Sequence, residues 1–170
     1  YLGNWMPALQ RMIDLRNTLG LRSPIHSLAR VINPLNAHCG LQSIFHPGYQ
    51  AVHREASRLL GDHAIVIKGE GGEIEVNPDV ACHLYGTRNG EDWDEEWPAL
   101  SAQRHVKPER LDPAVLNAFW RGEREDAYGQ LAVVATMAVA LRGLGMPREQ
   151  AFEQARQRWD ARLRSNKPID

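Results

Sequence analysis

The sequence predicts an α/β layer structure preceded by two helices, and three observations carry that prediction. Up to Pro34 the apolar residues recur at helical spacing. After it, short apolar runs bounded by turn residues alternate with longer helical patterns. From Asp112 onward the pattern is helical alone. The boundary falls near residues 34–40, so residues 1–34 and residues 35–170 are expected to form separate parts.

Trp5, Ala8, Leu9, Met12, Ile13 and Leu19 place an amphipathic helix over residues 7–19, closed by Gly20. Its apolar stripe requires a partner. Ser23 is the expected N-cap of a short second helix with Pro24 in its first turn, and Asn33-Pro34 ends it. Ile25, Leu28 and Ile32 form one face; His26, Arg30 and Asn33 fall on the other, at i, i+4 and i+7. Residues 41–45 read as a strand, 48–60 as a helix capped by Gly61, and 64–68 as a second, buried strand. Residues 80–85 are a further strand candidate, whereas 86–107 mix acids, glycine and tryptophans without clear periodicity and are expected to be mostly loop. Three helices follow, at 113–121, 126–144 and 147–163, with Gly145 and Pro147 separating the last two.

A chain of 170 residues, 43% of them hydrophobic, can bury a sizeable core. The net charge of -1 conceals an uneven distribution. Residues 1–34 carry Arg11, Arg16, Arg22 and Arg30 against Asp14 alone. From Gly69 to Trp97, nine acids face only Arg88, and the stretch from Arg142 onward is basic again. Cys39 and Cys82 are too far apart for a CxxC motif, and a chain this large needs no disulfide staple, so a reducing cytoplasm is the expected setting. No apolar run is long enough for a membrane span. Tyr1, in place of an initiator methionine and close to a helix, suggests a fragment of a longer chain.

A glycine-rich loop after a strand is where α/β folds present ligand-binding groups. Residues 64–75 have that form: Gly69, Gly71 and Gly72 permit close backbone approach, and Glu70, Glu73 and Glu75 supply oxygen donors suited to a hard cation such as Mg²⁺. A surface turn with solvated acids fits the same residues. The neighbouring segments add weight to the first alternative. Leu19-Gly20-Leu21-Arg22-Ser23, Leu28 and Asn33-Pro34 resemble the "LGxRT…LGPLxNP" signature of anthranilate phosphoribosyltransferases and the wider glycosyltransferase family three. Ala64 to Glu75 resembles that family's "ALVVHGxDGLDE", and the C-terminal helices match its ending in type and order.

The resemblance implies a C-terminal α/β domain of the nucleoside phosphorylase/phosphoribosyltransferase type, over residues 35–170, preceded by two helices of a small helical domain within residues 1–34. It also implies dimerisation through that helical domain, with phosphoribosyl diphosphate bound largely by loops upstream of Tyr1. Arg22 matches the position that contacts the aromatic acid acceptor. The family's Asp-Glu metal pair becomes Ile74-Glu75; Glu75 matches the second acid, Ile74 cannot ligate a cation, and Glu73 is the nearest substitute. His26 and Arg30 stand where the family has an asparagine and a proline.

These departures resemble the family branch described as nucleic-acid-binding homologues without the transferase role. Arg11, Arg16, Arg22 and Arg30, with His26, then become candidate phosphate contacts, which would position a polymer without reading its sequence. Lys68, Gly69, Gly71 and Gly72 form the candidate ligand edge. The same arginines also fit an ordinary solvated face. The alternative function is a Mg²⁺-dependent phosphoribosyl transferase acting on an amine or base, with Glu73 and Glu75 sharing the metal and Arg22 holding the acceptor. No Ser/His/Asp or Cys/His nucleophile arrangement is visible, so no catalytic residue is assigned. His53, His63, His83 and His105 show no ligand spacing with one another, and Trp93 and Trp97 are expected to anchor the long loop.

Overall fold

A computed structural model describes residues 2–21, 23–70, 73–106 and 112–165. The chain divides into two compact units, Tyr1–Ala37 and His38–Asp170.

The first unit is helical: α1 (Leu2–Trp5), α2 (Pro7–Leu19) and α3 (Ile25–Val31). Pro7 opens α2, where its missing N–H costs no hydrogen bond. Gly20 closes it at φ +69°, donating its N–H to the Arg16 carbonyl, a left-handed cap that glycine adopts without strain. Leu9 is the buried residue of α2, while Met12, Leu15 and Leu19 remain exposed. The start of α3 departs from expectation. Pro24, already helical in φ and ψ, occupies the cap position expected of Ser23, and no side-chain cap bond is made there. Instead the Ser23 N–H donates to Nδ1 of His26 (3.1 Å), so the histidine side chain satisfies the backbone donor. Asn33 closes the segment after α3, donating to the Ala37 carbonyl (2.9 Å) and accepting from its N–H (2.8 Å).

The second unit is a four-stranded sheet with helices on both faces. Its strands are β1 (Gly40–Ile44), β2 (Ala64–Lys68), β3 (Cys82–Arg88) and β4 (Glu91–Trp97), in spatial order 1-2-3-4. β1 and β2 are parallel, joined through a 3-10 turn (Pro47–Tyr49) and α4 (Gln50–Leu60); β2–β3 and β3–β4 are antiparallel. The mixed α/β class read from the sequence is therefore present. In β2, Ala64 to Ile67 are all buried, as expected of a strand covered on both faces. Each fully buried Ile side chain there contributes roughly 1.5–3 kcal/mol of transfer free energy.

Residues 86–107 correct the sequence expectation. Rather than a long loop, residues 86–97 complete β3 and build β4 across a tight hairpin. Asn89 (φ +53°) and Gly90 (φ +80°) occupy its centre, both in the left-handed region that a two-residue primed turn demands. Trp93 and Trp97 anchor this strand by packing in or against the core, not a loop. Its acids are largely paired within the fold. Arg54 of α4 reaches Asp92 (3.2 Å) and Asp94 (2.6 Å), and Arg142 reaches Glu95 (2.7 Å) while lying 4.8 Å from the Trp93 ring.

Three helices complete the unit: α5 (Pro113–Trp120), α6 (Ala127–Gly143) and α7 (Arg148–Ser165). Asp112 and Asp126 cap the first two, accepting from Ala114 and Gly129 N–H groups respectively. Small residues let α6 lie close to the sheet: a methyl at Gly143 would come 2.6 Å from the Cys39 sulfur and 3.1 Å from Ile65 Cδ1. Ala151, Phe152, Ala155 and Trp159 form the buried stripe of α7.

Candidate functional site

β1 and β2 run parallel and end together, Ile44 opposite Lys68, so the following segments share one edge of the sheet. The glycine-bearing loop starts there. Gly69 is buried because the chain folds back over it: a side chain would overlap the Glu73 carbonyl and come 2.5 Å from Ser43 Oγ. Ser43 ties the same point by donating to that carbonyl (2.9 Å). The Glu70 and Glu75 backbones close the loop through an N–H to carbonyl bond of 3.1 Å. Lys68 is exposed beside it. Gly71 and Gly72, the other two glycines of the expected ligand edge, lie outside the described residues.

The loop acids do not form a cage. Glu73 is exposed, and Ile74 packs against the hydrophobic core in the position matching the first family carboxylate. Glu75 accepts a hydrogen bond from the Tyr128 hydroxyl at 3.3 Å, and Glu70 accepts from Asn77 Nδ2 at 2.9 Å. Burial first, then the charges of Glu75, Glu70 and Asp79, hold the Tyr128 proton on well above the ordinary phenol range. The phenol thus remains a hydrogen-bond donor to Glu75. Among the described residues no group of three His, Cys, Asp or Glu side chains comes together to hold a metal ion. This donor set, with Ile74 turned into the core and Glu75 bonded to Tyr128, does not fit a carboxylate-held Mg²⁺.

Beside Tyr128 lies a contact invisible in the sequence spacing. His105 donates its backbone N–H to Asp79 Oδ2 (2.6 Å), its Nδ1 lies 2.7 Å from Oδ1, and its ring meets Tyr128 edge-on at 5.4 Å. Burial opposes the Asp79 charge, but the backbone and ring hydrogen bonds of His105, with the charges of His105 and Arg104, outweigh it and hold this carboxyl below its usual range. The partners are 26 residues apart, so no local motif points to them.

The thiols are poor nucleophile candidates. Burial raises Cys39, partly offset by Arg88, and pushes Cys82 up to about 11. His53, a buried residue of α4, has its Nδ1 bonded to Gln42 Oε1 of β1 at 3.0 Å.

The basic candidates occupy the helical unit. Arg11 and Arg16 are exposed on α2 without an ion pair among the described residues, and Asp14 accepts instead from Gln10 (2.8 Å). Arg30 is half-buried at the end of α3. His26 is turned back onto Ser23, a local structural role. Arg22 lies outside the described residues.

No protein-family model matches the chain. Curated relatives do. The chain is 27% identical over 167 residues to an anthranilate phosphoribosyltransferase of Paracidovorax citrulli, an alignment covering 93% of this chain and 48% of that protein. It is 33% identical over 89 residues to an anthranilate phosphoribosyltransferase of Polaromonas, covering 52% of this chain and 26% of the relative. An uncharacterized protein of Aquifex aeolicus is 38% identical over 77 residues, covering 45% and 25% of the two chains. The chain therefore spans about half, or less, of the relatives it matches.

Proposed function

We propose that this chain, similar over 93% of its length to the anthranilate phosphoribosyltransferase of Paracidovorax citrulli, carries the C-terminal α/β part of a phosphoribosyltransferase-type fold whose transferase chemistry is lost or altered, and that it binds nucleic acid with little sequence preference. The observation that carries this reading is on α2, where Arg11 and Arg16, on different sides of the helix, both stand exposed and without an ion pair among the described residues. Unpaired guanidinium groups on a helix can displace counterions from a phosphate backbone, a contribution that steers and holds a polymer irrespective of base order. Arg30 adds a cation in the same unit. The loop supports the other half of the proposal, because Ile74 serves the core where a carboxylate would be needed.

The exposed Met12, Leu15 and Leu19 support pairing of two copies through the helical unit. Such pairing would double the phosphate contacts. No described helix is long and apolar enough to cross a membrane. Two free thiols are compatible with a reducing cytoplasm.

The direct test is charge reversal. Arg11→Glu combined with Arg16→Glu, measured by fluorescence anisotropy against several unrelated oligonucleotides, should weaken all of them at least tenfold, a loss on the order of 1.4 kcal/mol or more. Unchanged affinity would remove the α2 surface from the account. Turnover of phosphoribosyl diphosphate by the intact protein would contradict the loss of transfer chemistry.

A further inference from the structure

Outside both regions just described, the second unit has a hollow of about 180 Å³ between α6 and α7. Val134, Phe152 and Trp159 line its apolar part, and Gln130, Arg156 and Asp160 its polar part. We infer that this hollow binds a small zwitterion, an amino acid with an apolar side chain.

The apolar wall is firmly set. Phe152 packs against Trp97 with ring centroids 4.9 Å apart, and Trp159 against Phe119 at 5.0 Å. Its three residues are each more than nine-tenths buried. The space exceeds the roughly 150 Å³ of an apolar cavity that accommodates benzene, so an aromatic ring or branched aliphatic group has room.

The rim selects the ligand's charges. Arg156 and Asp160 are one helical turn apart on α7, both exposed, and neither has an ion pair among the described residues, even with the other. Several other arginines of this unit are committed: Arg142 to Glu95, Arg54 to Asp92 and Asp94, Arg162 to the Trp159 and Phe119 carbonyls. Arg156 is instead held over the Phe152 ring, 6.0 Å from its centroid, which fixes its stem at the hollow. A purely apolar ligand would desolvate both charges without pairing either. A simple anion would gain Arg156 but meet Asp160, and a simple cation would meet the reverse conflict. A carboxylate and an ammonium on one carbon, with an apolar group beyond, satisfies both rim charges and the floor.

Isothermal titration of the intact chain with L-phenylalanine tests the inference independently of nucleic-acid binding. Saturable one-site binding is expected, weakened about tenfold or more by Arg156→Gln and by Asp160→Asn, since each removes a charge-assisted bond. Both residues are exposed, so the variants should fold, which circular dichroism checks. 3-Phenylpropanoate, lacking the ammonium, and phenethylamine, lacking the carboxylate, should each bind more weakly than L-phenylalanine. Absence of saturable binding at millimolar concentrations, unchanged affinity in both variants, or equal binding of the three probes would overturn the assignment.

Discussion

At the scale of single residues, the side chains of the loop are committed to packing and hydrogen bonding. Ile74 packs against the core, and Glu75 is the acceptor of a phenol whose proton its own charge helps to retain. Asp79 has the opposite relation to its partner: His105 stabilises its charged form. A depressed carboxyl pKa adds stability above the unfolded value, about 3.9, and loses it as pH falls through the folded one. Asp79→Asn should therefore lower stability at neutral pH, and the gap from wild type should close as the pH falls below about 4. Urea unfolding at several pH values measures this; a gap that stays constant down to pH 2 would contradict the assigned role. Little of this was legible beforehand. Glu75 was a candidate through its place in a motif, whereas Tyr128 and His105 reach the site from distant segments. Their pairing depends on tertiary packing, which spacing along the chain does not encode.

At the scale of elements, helices and buried strands were the legible part, because periodicity, proline starts and glycine stops act locally. α2 ends on Gly20 and α4 on Gly61, both with left-handed glycine caps. The β3–β4 hairpin was missed for a physical reason. β4 carries five acids among seven residues, a composition poor in intrinsic strand formers, and only Trp93 and Trp97 show its inward face. The strand is held in place by side chains from other elements, with Arg54 supplied by α4 and Arg142 by α6. The Asn89-Gly90 pair was the available local signal. Gly90→Ala should cost roughly 1–2 kcal/mol, because alanine pays for the left-handed backbone that glycine adopts freely. A denaturation midpoint matching wild type would contradict the turn geometry.

At the scale of the whole molecule, the two units differ in what they expose. In the helical unit Arg11 and Arg16 are exposed and without an ion pair among the described residues, and in the α/β unit Ile74 packs against the core beside Glu75. Similarity to the anthranilate phosphoribosyltransferase of Paracidovorax citrulli extends over 93% of this chain and 48% of that protein. A fold retained with altered site residues is an expected route to a different function. The measurement that bears most directly on this is the salt dependence of nucleic-acid affinity. For two unrelated sequences of equal length, log affinity should fall linearly with log salt concentration, with slopes that agree and correspond to roughly 0.9 per duplex phosphate contacted. A flat dependence, or steep binding to one sequence and none to the other, would contradict the account.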